Sequence, residues 1–252
     1  MHFALTLLHR NLIIARADAR LILIRALIQP AVYLFVFGHV VGRMVSTDAG
    51  GYGSVVAPGI IAIAVVTAPF ITIGGSVLAG YFYRTLEEWL LAPVSLRTVF
   101  IAMVASGLCS SLANSLLVAG LVWLILGLAP QDLACFLLVI ISGGLLFSLL
   151  ILIVLLVPER PDKGQEVFSL LMMLMTFFGC TFYSYDMLEP PFRWIALLLP
   201  TTYISEGLRA AYMPGAPHLD VLSLVTGMTS ATLALFLLAD FVFRRRLGHF
   251  AW

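Results

Sequence analysis

Residues 83–95 read YRTLEEWLLAPVS. They stand between two long stretches that carry no Asp, Glu, Lys or Arg, residues 49–83 and 98–131. A bilayer crossing takes about 20 mostly apolar residues, so each flank is long enough to cross. The chain surfaces here, sets Arg84, Glu87 and Glu88 within about one and a half helical turns, and re-enters. Pro93 disfavours helix at Ala92, so residues 84–91 can form a short helix that ends there. Arg84 and Glu88 share a face at i,i+4. Leu86, Trp89 and Leu90 give it an apolar side, and Trp suits the membrane–water boundary. Such a segment is either an anchored turn with its own ion pair or a lever joined to two spans.

Composition extends that reading to the whole chain. Of 252 residues, 62% are hydrophobic and 11% charged, with mean hydropathy +1.07. A soluble domain carries about 25% charged residues. So little charge cannot cover a water-facing surface, and the fold class is an all-α integral membrane protein. Six apolar runs are bounded by charge, at 21–43, 55–80, 98–128, 133–157, 167–185 and 219–240. They form one transmembrane domain over residues 1–252. The third run exceeds a perpendicular crossing and implies tilt or a first turn in the interface. Gly127 and Pro130 mark its end.

An even span number puts both termini on one side. Eleven of the 14 Lys and Arg flank that side: Arg10, Arg16, Arg20, Arg25, Arg84, Arg97, Arg160, Lys163 and Arg244, Arg245 and Arg246. The other side has Arg43, Arg193 and Arg209. The excess of basic residues makes the first side cytoplasmic. No cleavable leader is expected, because the first 25 residues mix charge throughout and lack a short apolar core with a cleavage site. The first span then directs insertion.

Two further segments stand out. In residues 1–20, His2, Thr6, His9, Arg16 and Arg20 fall on one helical face, with Ile13 the exception. Phe3, Leu7, Leu8, Leu12 and Ile14 lie largely opposite. That pattern predicts an N-terminal in-plane amphipathic helix in the cytoplasmic interface. The connection 186–218 is cut by Pro190, Pro191, Pro200, Pro214 and Pro217. Residues 192–199 and 201–212 can each be helical, are too short to cross and are too apolar for a solvated loop. They read as helices dipping into the outer leaflet, where backbone must be buried in protein. Glu206 and Arg209 at i,i+3 can pair there. Pro200, Tyr203, Glu206 and Arg209 form either a plug or an outer gate.

The spans hold little chemistry. No titratable relay crosses them, and Asn114 reads as an interhelical hydrogen-bonding residue. Ser76 in GGSV, residues 74–77, has no histidine at depth to activate it. Gly74, Gly75 and Gly80 around it read as sites of close helix packing or a kink. No phosphate-binding GxxxxGK[ST] loop is present, so the chain offers no nucleotide site of that type. Cys109, Cys135 and Cys180 lack metal or disulfide spacing and read as small buried hydrophobes. No catalytic or metal-ligating residue is assigned. Net charge is +1, which favours no nucleic-acid partner. An intramembrane lipid-modifying or proteolytic enzyme and a non-transporting scaffold remain as rival readings.

Three passages carry a family resemblance: YRTLEEWLLAPVSLRTVFIA at 83–102, FYSYDMLEPPFRWIALLLPTTYISEGLRAAY at 182–212, and VAPGIIAIAV at 56–65. The chain resembles the membrane subunits of type-2 ATP-binding-cassette exporters. It is most like the short permeases that export Nod factors, drugs or polysaccharides. Glu189 before the double proline departs slightly from the family pattern. The resemblance implies a bacterial inner-membrane permease that works as a dimer, here a homodimer, with two separate ATPase subunits. ATP and Mg would be bound by those subunits, with no cofactor in this chain. It implies that 84–91 is the coupling helix, with Arg84, Glu87, Glu88 and Trp89 touching the ATPase and Arg10, Arg16 and Arg20 adding contacts. It further implies that spans one, two and five line the exit path. That places Tyr33, Phe37, Phe177, Phe178 and Phe182 along the substrate path or the dimer seam. The implied cargo is amphipathic, lipid-linked or drug-like.

Overall fold

The computed structural model describes residues 19–43, 51–83, 95–158, 160–215 and 219–249. The expected lever at 84–91, and with it Arg84, Glu87, Glu88 and Trp89, lies outside the described residues. So do Arg10, Arg16 and most of the N-terminal in-plane segment. Among the described residues the chain is helical, without a strand. Helix α1 is Ala19–Tyr33, continued by a π-helical stretch Leu34–Val40. Helix α2 is Tyr52–Pro69, joined through a π-helical turn Phe70–Gly74 to α3, Gly75–Phe82. Then come α4, Leu96–Leu126, α5, Leu133–Leu156, and α6, Pro161–Phe178. Two short helices, α7 at Phe192–Leu198 and α8 at Pro200–Tyr212, precede α9 at Val221–His249.

Local chemistry sets the boundaries. Ser95 caps α4, its Oγ accepting from the Thr98 N–H at 3.3 Å, and Asp132 caps α5 by accepting from the Cys135 N–H at 3.0 Å. Gly127 ends α4 at φ 69°, a left-handed position that glycine takes without steric cost. Pro161 and Pro200 open α6 and α8 where a missing N–H is harmless. Helix α6 begins and ends earlier than the sequence run 167–185 suggests, because Gly179 stops it and Cys180 takes φ 53°.

Among the described residues, four segments are long and apolar enough to cross a membrane: Tyr52–Phe82, Leu96–Leu126, Leu133–Leu156 and Leu222–Phe243. A shorter apolar helix covers Ala26–Val40. At 1.5 Å per residue the 31 residues of α4 span about 46 Å. That exceeds the roughly 30 Å hydrocarbon layer, so α4 tilts or projects from it. Tyr52–Phe82 is 78% buried over its most apolar window, whereas Leu222–Phe243 is 17% buried. Helix α2 is therefore the central post, with α9 on the rim. Leu124, Leu170, Leu222 and Leu237 are well exposed, as lipid-facing side chains are.

Packing around α2 relies on small residues and hydroxyls. A Cβ on Gly59 would collide with the Thr181 carbonyl, so only glycine allows that approach. Pro69 has no N–H to give the Val65 carbonyl four residues back. The Ser111 hydroxyl of α4 donates to that carbonyl instead, at 2.8 Å. Asn114 donates to the Ala64 carbonyl at 3.1 Å, the interhelical bond expected of it. One sequence expectation needs correction: Cys109 is exposed on α4, not buried. Of the glycines expected to pack closely or kink this span, Gly74 ends a π-helical turn, and a Cβ on Gly75 would meet nothing within 4 Å.

Candidate functional site

Helix α8 carries the polar centre of the molecule. All but one of its residues from Thr201 to Tyr212 are buried, including Glu206 at 0% and Arg209 at 4% exposure. Arg209 Nε donates to the Val55 carbonyl at 3.1 Å, and its Nη2 to the carbonyls of Cys180 and Thr181 at 2.5 and 3.3 Å. Its Nη1 donates to Glu206 Oε1 at 2.5 Å, and the same oxygen accepts the Tyr185 N–H at 2.9 Å. One planar guanidinium thus serves the start of α2 and the uncoiled end of α6, a geometry its rigid fork favours. A charge at this depth persists only when paired and hydrogen-bonded.

The hydroxyls of α8 extend the same clip. Thr201 donates to the Met175 carbonyl, Ser205 to Gly179 and Thr202 to Ala196. Half-buried Tyr203 donates its hydroxyl to Leu197 at 2.9 Å. Pro200 opens the helix. The Ala211 carbonyl accepts from Gln131 and Asp132, tying in the connection before α5. The four expected outer residues therefore share one helix. Glu206 and Arg209 bond each other, whereas Tyr203 bonds α7.

The expected aromatic group also converges. Ring centroids of Phe37 and Phe182 lie 4.4 Å apart, Tyr33 and Phe182 5.6 Å, Tyr33 and Phe37 6.3 Å, and Phe177 and Phe182 6.1 Å. Tyr52 holds Phe182 in place, its hydroxyl donating to the Phe182 carbonyl at 2.9 Å. Phe178 is 40% exposed and is not part of the cavity lining described next.

Beside these rings lies a cavity of about 330 Å³ between α1, α2 and α6. Gln29 and Tyr33 face it from α1, and Ile63, Thr67 and Phe70 from α2 and its π-helical turn. Ser169, Met172, Met173, Thr176 and Phe177 face it from α6. Among the described residues, none that lines it is charged. Sequence reasoning named Tyr33 and Phe177 but missed the polar lining. A signal existed, since Ser169, Met172 or Met173, and Thr176 repeat at helical spacing.

At the opposite end of α6, Arg160 and Asp162 pair at 2.7 Å on the surface. Loss of hydration opposes charge on Asp162, but the hydrogen bond and attraction from Arg160 outweigh it and hold the carboxyl below its usual range. Arg20 sits in the first turn of α1. Among the described residues no cluster of His, Cys, Asp or Glu could hold a metal.

A helical bundle with several membrane-length segments and a cavity between helices, its described lining free of charge, has the build of a polytopic transport protein. The model of the ABC-2 type transporter family matches residues 3–213, and the chain belongs to that family. It is 24% identical over 192 residues to the inner membrane transport permease YadH of Escherichia coli strain K12, covering 76% of this chain and 75% of that protein. The YadH proteins of Escherichia coli O157:H7 and Shigella flexneri match to the same extent. Family members are membrane subunits of ABC transporters, and the ATPase is a separate subunit. The chain is thus a transmembrane permease and not an enzyme by itself.

Proposed function

We propose that the chain is the permease of an ATP-driven exporter in a bacterial inner membrane, with both termini cytoplasmic. In this reading α1 and α6 complete six spans, and α7 and α8 are re-entrant from the outer side. Two copies form a homodimer served by two ATPase subunits that bind ATP and Mg. Residues 84–91 act as the coupling helix, with Arg84, Glu87, Glu88 and Trp89 against the ATPase and Arg10, Arg16 and Arg20 beside them. ATP-driven approach of the ATPase subunits moves that helix and the spans joined to it as rigid bodies. Cargo passes the cavity between α1, α2 and α6, edged by Tyr33, Phe37, Phe177 and Phe182, with Phe178 toward the dimer seam. Pro200, Tyr203, Glu206 and Arg209 then serve as the frame of the outer gate. The cargo is amphipathic, lipid-linked or drug-like, a class that takes in glycolipids and polysaccharides.

The observation that carries this reading is the cavity between α1, α2 and α6, whose described lining carries no charge, in a member of this family. Its test is charge reversal of the lever. Glu87→Lys with Glu88→Lys should leave membrane insertion intact and reduce transport per ATP hydrolysed by at least about tenfold, corresponding to about 1.4 kcal/mol of coupling. Wild-type transport by the double variant would remove the coupling role.

A further inference from the structure

The span Tyr52–Phe82 is held differently along its length. Its N-terminal part is tied to its neighbours by directed contacts. Tyr52 donates to the Phe182 carbonyl, Arg209 to Val55, Asn114 to Ala64 and Ser111 to Val65. Gly59 lies against the Thr181 backbone. Nearly every residue from Ser54 to Pro69 is buried. In α3 the buried residues are Val77 and Gly80, and Phe82 is 62% exposed. The chain then runs into the segment read above as the coupling helix. Between the two parts the backbone ladder is irregular. Pro69 has no N–H for the Val65 carbonyl. Thr67 bonds back to the Ile63 carbonyl at 2.9 Å and Ser76 to Thr72 at 2.8 Å, contacts that bend helices. The Phe70 N–H goes to the Thr67 carbonyl, three residues back. Phe70–Gly74 is π-helical, and the Gly75 N–H is shared between the Ile71 and Thr72 carbonyls. Helices kink at proline, at Gly/Ser pairs and at π-turns, and residues 69–76 supply all three.

Gly74 and Gly75 have φ of −59° and −58°, which any residue adopts. A Cβ on Gly75 would meet nothing within 4 Å, and one on Gly74 would make ordinary contact with the Phe70 ring at 3.6 Å. Static packing asks for glycine at neither position, although glycine weakens a helix relative to alanine. What it adds is backbone freedom. Phe70 also stacks on buried Phe168 of α6, ring centroids 4.4 Å apart, and lines the cavity between α1, α2 and α6. Resting on the permease reading above, we propose that residues 69–75 are a hinge. It lets α3 and the coupling helix move while α2 stays fixed to α4, α8 and the 180–182 backbone. Because Phe70 belongs both to the hinge and to the cavity lining, a swing of α3 reshapes the cavity wall, and the lever reaches the cargo site directly.

The permease is purified with its ATPase subunit, reconstituted in nanodiscs, and compared nucleotide-free and trapped with ATP and vanadate. Trapping should change amide hydrogen exchange over residues 70–75 at least about threefold while residues 56–66 stay as they were. Gly74→Ala with Gly75→Ala should raise Tm by about 2–8 °C. It should also shrink that exchange response and slow ATP turnover at least about threefold, as substitutions at hinges do. Gly120→Ala is the control. Gly120 lies on α4 with nothing within 4 Å of an added Cβ. Alanine there should raise Tm by about 1–4 °C and leave turnover alone. Wild-type turnover in the double alanine variant overturns the hinge. So does a lowered Tm, which would mean that the glycines serve packing. An equal exchange response over 56–66 overturns it too, since the span would then move as one body. Glu87→Lys with Glu88→Lys separates the hinge from the permease reading. If that variant keeps the 70–75 response while the double alanine variant loses turnover, the hinge stands and the lever falls. If it loses the response while the double alanine variant turns over normally, the lever stands and the hinge falls.

Discussion

Arg209→Met is the most demanding perturbation this structure allows. The guanidinium holds three backbone carbonyls and one carboxylate, at 2.5–3.3 Å, from a side chain only 4% exposed. Methionine keeps the length and removes every donor. Glu206, fully buried, is left with the Tyr185 N–H as the partner of Oε1. Breaking a buried ion pair by deleting one partner costs about 3–5 kcal/mol. For a domain of this size each kcal/mol moves Tm by about 2–4 °C, so the drop should be about 6–20 °C. Thermal unfolding in detergent, followed by the monodisperse fraction on size exclusion, measures it. Adding Glu206→Leu should recover part of the loss, because the stranded charge is gone. Arg209→Lys should fall between, since a point charge with three donors cannot span the same four acceptors. A Tm for Arg209→Met within about 2 °C of wild type would refute the clip. So would a double variant whose loss is the plain sum of the singles, since coupled buried groups are not additive.

Gly59→Ala should cost about 1–3 kcal/mol by overpacking, because the Thr181 backbone it meets is pinned by Arg209. The same thermal assay reads it, and an unchanged Tm would mean that α2 and the 179–184 segment are not in close contact. Ser111→Ala should lose about 1–3 kcal/mol by orphaning the Val65 carbonyl. Pro69→Ala in that background should restore much of it by supplying the missing N–H, and failure to do so would discount the substitution of one donor by the other. Phe182→Ala removes a ring within 4.4 Å of Phe37 and should cost about 3–5 kcal/mol. It should also increase accessibility of a cysteine placed at position 37 to a thiol reagent, and unaltered labelling would count against the aromatic seal.

Much of the bundle was legible in linear order. Helices α4 and α5 follow charge-free runs that open on a Ser or Asp cap, and α4 stops at a glycine, all local signals. The two short helices α7 and α8 were marked by prolines whose effect on φ and on N–H supply is also local. The i,i+3 spacing of Glu206 and Arg209 announced their pairing. The carbonyls of Val55, Cys180 and Thr181 that complete the site could not be read in this way. They lie 154, 29 and 28 residues from Arg209, and no sequence pattern specifies a backbone acceptor at that separation. The end of α6 was likewise misjudged, since the apolar run continues to 185 while Gly179 and the α8 hydroxyls draw the chain out of helix.

Hydropathy and charge placement alone determined a helical membrane protein, where its chain turns, and which residue types stay inside, because the bilayer punishes any unpaired polar group wherever it occurs. Tertiary structure alone decided which helices stand together. It set Ser111 against the carbonyl that Pro69 leaves free, gathered Tyr33, Phe37, Phe177 and Phe182, and opened a cavity among α1, α2 and α6. In lipid every apolar face is equally content, so the choice of neighbour falls to close packing and a few directed hydrogen bonds, and these exist only once the chain has folded.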